Sequence, residues 1–267
     1  MDLSFVCGVA DAYQSVPQKI RNLSEHWVAR ELYCPSCGKF PIDRYGHNQP
    51  VADFFCSSCG EDYELKSQAK VFGPRVVDGA YGTMIGRLVS ATNPNLLLLQ
   101  YNKVTLSVSN LLVIPKYFFV PEMIEKRNAL SPTARRAGWI GCNILPTEVP
   151  EAGRISLIKG QAIIEKSDVL ADWRRVLFLR EQRNLTAKEW LLIVMKCIER
   201  LQKDVFTLDE LYGFEPELTA SHPSNRHIKD KIRQKLQVLR DKGYLDFVAK
   251  GRYQLRQPAP KIDLLVR

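Results

Sequence analysis

Cys34-Pro-Ser-Cys37, Pro50-Val-Ala-Asp53, Cys56-Ser-Ser-Cys59 and Glu64-Leu-Lys66 follow one another in a single stretch of chain. Two chemistries interleave there. The cysteines read as C-x2-C, 18 residues, C-x2-C, the spacing of a zinc site. Zinc takes four soft ligands in a tetrahedron, and each short turn offers two thiolates. A four-thiolate site leaves no open coordination position, so Cys34, Cys37, Cys56 and Cys59 are expected to hold a structural Zn²⁺. Cys7, Cys142 and Cys197 stand alone and read as small buried apolar residues.

The second set, P-x2-D-x10-E-x-K, has the donors a phosphodiester hydrolase needs. Such chemistry takes a divalent cation, an activated water and charge neutralisation at the phosphate. Mg²⁺ binds through one or two carboxylates and keeps several waters. Asp53 and Glu64 on neighbouring strands are expected to hold Mg²⁺, with the Leu65 carbonyl as a further ligand. Side chains at 64 and 66 share a strand face, which sets Lys66 beside Glu64 to orient or polarise the attacking water. Taken alone the pattern is degenerate, because Asp and Glu-x-Lys recur at such spacing on solvated strands.

Its surroundings strengthen it. Residues 17–33 carry Ile20, Leu23, Trp27 and Leu32 near one face, which predicts an amphipathic helix. Val51–Phe55 and Asp62–Lys66 are expected to pair across the Cys56–Cys59 loop. A helix is expected over Asp78–Ala91, and strands over Leu96–Tyr101, Asn110–Pro115 and Arg154–Lys159. This order predicts an α/β fold, a mixed sheet flanked by helices.

Beyond a linker near 180–186 the pattern turns helical. Thr186-Ala-Lys-Glu189 and Thr207-Leu-Asp-Glu210 both read as capping boxes. A third helix is expected over Ser224–Lys242, with Ile228, Ile232, Leu236 and Leu239 on one stripe and Gly243 as its stop. Tyr244–Ala249 and Arg252–Leu255 around Lys250-Gly251 read as a hairpin, which completes a winged helix-turn-helix. The expected domains are therefore residues 1–182, 183–257 and a tail at 258–267.

The formal net charge is +9, and most of the excess lies in residues 183–267. That asymmetry favours nucleic acid as the partner. The third helix carries Arg226, Lys229, Lys231, Arg233, Lys235 and Arg240. In a helix-turn-helix the N-terminal residues of this helix reach base edges, so Asn225, Arg226 and Lys229 are expected near bases, with Lys231 and Arg233 on phosphates. A second basic segment surrounds Arg135, Arg136 and Trp139. Either Trp139 lies against a base or a methyl and the arginines hold phosphates, or Trp139 is core and the arginines are solvated. No basic, apolar leader opens the chain, and no apolar run approaches membrane-spanning length, so a cytoplasmic location is expected. A monomer is the expected state.

Together these residues resemble the PD-(D/E)xK nucleases, and among them the methyl-directed restriction endonucleases. The stretches that carry the likeness are Tyr33–Gly38, Pro50–Phe54, Glu64–Ser67, Asp78–Tyr81, Pro132–Ile144, His227–Lys229 and Leu239–Gly243. The resemblance implies a Mg²⁺-dependent endonuclease acting on double-stranded DNA at GATC when its adenine is N6-methylated. It implies Asp53, Glu64 and Lys66 as catalytic residues, the four cysteines as zinc ligands, and Trp139 with the winged helix as methyl-reading elements. Two other readings stay open: a zinc-containing winged-helix regulator without nuclease activity, and an endonuclease indifferent to methylation.

Overall fold

The computed structural model describes residues 1–46 and 52–256. Contacts divide the chain into two units, Met1–Arg174 and Arg175–Arg267. Pro50, Val51 and the expected tail lie outside the described residues.

In the first unit, α1 (Val16–Glu31) opens on Ser15, whose hydroxyl accepts from the Gln18 N–H, with a proline in its first turn. Both features suit a helix start. The helix buries Leu23, Trp27 and Val28, and Trp27 donates its indole N–H to the Asp2 carbonyl at 2.7 Å. Next come β1 (Asp43–Arg44), β2 (Phe54–Phe55), β3 (Asp62–Gln68), β4 (Val76–Ala80), α2 (Tyr81–Ser90), β5 (Asn95–Asn102) and β6 (Ser107–Ile114). β7 (Ile124–Ala129), β8 (Ile140–Ile144), β9 (Ile155–Lys159), β10 (Ala162–Ile163) and α3 (Lys166–Val176) follow.

The main sheet runs β1-β2-β3-β5-β6-β9-β10. β3 and β5 are parallel and the remaining neighbours antiparallel, so the sheet is mixed. Leu96–Leu99 on β5 are all buried, the pattern of a strand covered on both faces. A separate antiparallel sheet, β4-β8-β7, takes in Asp78, which pairs with Cys142. The helix expected over Asp78–Ala91 therefore begins only at Tyr81. Pairing with a strand more than sixty residues away overrides the local helical pattern.

The second unit holds α4 (Leu185–Arg200), β11 (Val205–Thr207), α5 (Leu208–Tyr212), α6 (Glu215–Ser221), α7 (Ile228–Asp241), β12 (Leu245–Ala249) and β13 (Arg252–Leu255). Its sheet runs β11-β13-β12, so the wing is a hairpin with a third strand added. The expected capping box at Thr207–Glu210 forms. The one expected at Thr186 does not, because Asn184 caps α4 by accepting from the Ala187 N–H at 2.8 Å. Helix α7 starts at Ile228, four residues later than expected. Asn225 is occupied in a local turn: its N–H reaches the His222 carbonyl, and its side chain accepts from the His227 N–H. Such side-chain bonds compete with helix. The stripe Ile228, Ile232, Leu236 and Leu239 is buried, and α7 stops before Gly243, whose φ is 72°. Among the described residues no helix is long and apolar enough to cross a membrane.

Candidate active site

Each cysteine pair sits on a backbone turn of the same kind. The Gly38 N–H donates to the Cys34 carbonyl and the Gly60 N–H to the Cys56 carbonyl, each at 2.8 Å. The Cys34 N–H reaches Lys39 and the Cys56 N–H reaches Glu61. The two glycines have φ of 81° and 71°, which an L side chain adopts only with strain. The four sulfurs converge to within 4.8 Å of one another, with Cys34–Cys59 and Cys37–Cys56 both at 3.5 Å. Zn–S bonds of about 2.3 Å in a tetrahedron set sulfur–sulfur edges of roughly 3.8 Å. The cluster thus fits a metal ion such as zinc. It is tied to the core through Tyr63, whose hydroxyl lies 3.1 Å from the Cys34 sulfur and whose ring packs near Trp173.

Beyond the second turn the chain enters β3. Tyr63 points into the core and is fully buried, so the alternation turns Glu64 and Lys66 to the opposite face. Lys66 Nζ lies 2.6 Å from Glu64 Oε1. Asp53, one residue before β2, is fixed by three backbone bonds. Its N–H donates to the Tyr63 carbonyl at 2.9 Å, its carbonyl accepts from Tyr45 at 3.0 Å, and its carboxylate Oδ2 accepts from the Leu65 N–H at 2.8 Å. Asp53 is therefore held against β3 beside Glu64 and Lys66, and Leu65 lies between the last two.

Electrostatics point the same way. Burial pushes the Asp53 carboxyl above the usual carboxylate range, against the pull of the Leu65 N–H. Burial also pushes Glu64 up, and the nearby Asp78 and Asp53 charges add to it while Lys66 opposes. For Lys66, burial alone would lower the pKa, but Glu64 and Asp78 outweigh it and hold the ammonium above the ordinary lysine range. Lys66 is thus a fixed cation that donates hydrogen bonds. Two crowded carboxylates with raised pKa values suit a divalent cation, which would relieve their repulsion.

Two neighbours of this centre carried no assigned role in the sequence reading. Asp78 binds Lys66 Nζ at 2.7 Å. Glu25 on α1 is buried, is bound by Arg21 and Arg44, and sets the Arg21 guanidinium 3.7 Å from Asp53. Asp78 falls in one of the stretches carrying the resemblance, yet nothing local announces that its partner is Lys66.

The segment between β7 and β8 folds back on itself, with the Leu130 N–H on the Trp139 carbonyl at 2.9 Å and the Gly138 N–H on the Leu130 carbonyl at 3.1 Å. Arg135 and Arg136 are exposed, and the Arg136 guanidinium stacks 4.6 Å from the Trp139 ring centre. Trp139 is half-buried, neither core nor free. Its six-membered ring lies over Gly141, where a Cβ would come within 2.8 Å of it.

In the second unit Arg233 is exposed and Lys231 half-buried on α7, while Arg226 and Asn225 precede the helix. Lys229 is exposed but pairs with Glu215 at 3.1 Å and lies over the Tyr212 ring. Lys235, counted above with the basic face, is buried and turned away from solvent. Burial, aided by Lys231, pushes its pKa down.

Two family models match this chain. The model DpnI, described as the Dam-replacing family, matches residues 1–182, and DpnI_C, described as the Dam-replacing HTH domain, matches residues 186–255.

Proposed function

The chain belongs to the Dam-replacing family, restriction nucleases with a DNA-binding helix-turn-helix domain, and from that premise we propose a Mg²⁺-dependent endonuclease that cuts double-stranded DNA at N6-methyladenine-containing GATC sites. The observation that carries the reading is the bond from the Leu65 N–H to Asp53, which seats that carboxylate beside Glu64 and Lys66.

Asp53 and Glu64 would hold the metal, with the Leu65 carbonyl as a third protein donor. Bound there, Mg²⁺ supplies charge neutralisation at the phosphate and acidifies water. Lys66, held as a cation, orients the attacking oxygen and offsets charge on the phosphate. The four thiolates would hold Zn²⁺ with no open position, a staple for the chain around Asp53. Arg135, Arg136 and Trp139 form one DNA-reading patch, and Asn225, Arg226, Lys229, Lys231 and Arg233 form the other. The protein would act in the cytoplasm as a monomer.

Methyl direction needs more than one contact. Burying a methyl contributes about 0.8 kcal/mol, only several-fold in affinity. A palindrome modified on both strands offers two methyls, and two reading patches that each test one multiply their discriminations. The test uses plasmid from adenine-methylating and non-methylating hosts, incubated with Mg²⁺ and either wild type or Asp53→Ala. Cutting of methylated plasmid by wild type alone is expected. No cutting of either plasmid rejects the nuclease in favour of a DNA-binding regulator, equal cutting of both removes methyl direction, and an active Asp53→Ala protein rejects this centre.

A further inference from the structure

Lys66 has two carboxylate partners, and only one of them belongs to the metal-binding set. Glu64 is its neighbour on β3, at 2.6 Å. Asp78 reaches it at 2.7 Å from β4, a strand of the other sheet, with its side chain 9% exposed. The β4–β8 register shifts between Asp78 and Ala80, an irregularity of the kind that re-aims a side chain beside an active site.

From this geometry we infer that Asp78 is a positioning residue, the carboxylate that keeps the Lys66 ammonium in place when Glu64 turns to the metal. The inference rests on the nuclease reading above. A cation entering beside Asp53 competes with Lys66 for Glu64. If Glu64 were the sole partner, metal entry would strip a largely buried ammonium of its counter-charge and set it next to a dication. Asp78 removes that conflict. The same strand pairs with β8, which emerges from the Arg135–Trp139 segment, so the Lys66 anchor sits on the sheet that carries the DNA-reading patch.

The experiment compares wild type, Asp78→Asn and Asp78→Ala in three measurements: Mn²⁺ binding to the protein alone by electron paramagnetic resonance, affinity for methylated GATC duplex in Ca²⁺, and single-turnover cleavage in Mg²⁺. Asparagine keeps an acceptor for Lys66 Nζ and loses the charge. Expected are weaker Mn²⁺ binding in both variants and duplex affinity within about twofold of wild type. Cleavage should be slower by about ten- to a hundredfold in Asp78→Ala, the range for one hydrogen bond to a charged group, with Asp78→Asn between. Wild-type Mn²⁺ affinity and wild-type cleavage in Asp78→Asn overturn the inference, and this variant decides alone if Asp78→Ala fails to fold. If wild type cuts no DNA the nuclease reading fails, and unchanged Mn²⁺ binding in the variants would still reject the role of Asp78 separately.

Discussion

The Leu65 N–H donates to Asp53 Oδ2 at 2.8 Å, so the carboxylate is keyed to the residue between Glu64 and Lys66. That bond makes Asp53→Asn an informative variant. The amide oxygen can still accept from Leu65, so the local geometry survives while the charge is lost. Loss of a charged metal ligand removes several kcal/mol of transition-state stabilisation, so single-turnover cleavage should fall by at least about a hundredfold. Affinity for methylated duplex in Ca²⁺ should change far less, and an unaltered cleavage rate would remove Asp53 from the chemistry.

The raised carboxyl pKa values of Asp53 and Glu64 predict opposite effects on stability and on activity. A group whose folded pKa lies above its unfolded value contributes stability fully below the unfolded pKa and loses it as pH rises through the folded pKa. In Mg²⁺-free buffer, without chelator so that the thiolate site stays loaded, buried Asp53 therefore weakens the fold at neutral pH. Asp53→Asn should raise the Tm there, and the gain should shrink as pH falls through the raised carboxyl range. Cleavage should run the other way, dying off in acid at a higher pH than ordinary carboxylates would give. Calorimetry and a pH–rate profile on the same samples check both signs.

The thiolate cluster predicts a stability effect with its own readout. Cys34 and Cys56 are buried, and Cys34 also touches Tyr63 in the core. Structural zinc is folding free energy for the segment it closes. Cys34→Ser should abolish stoichiometric zinc by elemental analysis and lower the Tm by several degrees, and a strong chelator should do the same to wild type. A chelated protein with unchanged melting would show that the turns close without metal.

What could be read beforehand was what depends on near neighbours. The repeated C-x2-C turns, the stripe of α1 and the side chains at 64 and 66 sharing a face all follow from spacings under about one helical turn or strand pleat. The Thr207–Glu210 box and the Gly243 stop are local in the same sense. What escaped depends on distant pairing. Asp78 is a strand residue because Cys142 lies opposite it, and its role follows from a lysine on another sheet. Lys235 looked like one more cation on a basic helix, and only the packing of α7 shows that it is buried. The late start of α7 came from one asparagine side chain whose turn outcompetes the helix.

Trp139 and Gly141 offer a paired test of the first proposed DNA-reading patch. The indole lies over Gly141, and an added Cβ would meet it at 2.8 Å. Gly141→Ala should therefore displace the ring without deleting it, disturbing the Arg136 stack as well. Trp139→Ala should lower cleavage of methylated DNA by about tenfold or more, the scale of one lost base–aromatic contact, and narrow the ratio between methylated and unmethylated plasmid. Gly141→Ala should fall between it and wild type. An unchanged ratio in both variants would return Trp139 to a purely structural role.

The contrast between Arg233 and Lys235 separates phosphate contact from mere positive charge on α7. Arg233 is exposed, whereas Lys235 is buried two residues further on. Each phosphate contact contributes about 0.9 to the slope of log affinity against log salt for duplex DNA. Arg233→Ala should weaken binding at low salt and reduce that slope by about one. Lys235→Met has the same formal charge change but should leave the slope untouched, and because burial depresses the Lys235 pKa it should hold or raise the Tm. Fluorescence anisotropy at four or five salt concentrations reads both variants. Equal slope losses would mean that Lys235 reaches DNA when the complex forms, and no loss in Arg233→Ala would move the phosphate contact off this helix face.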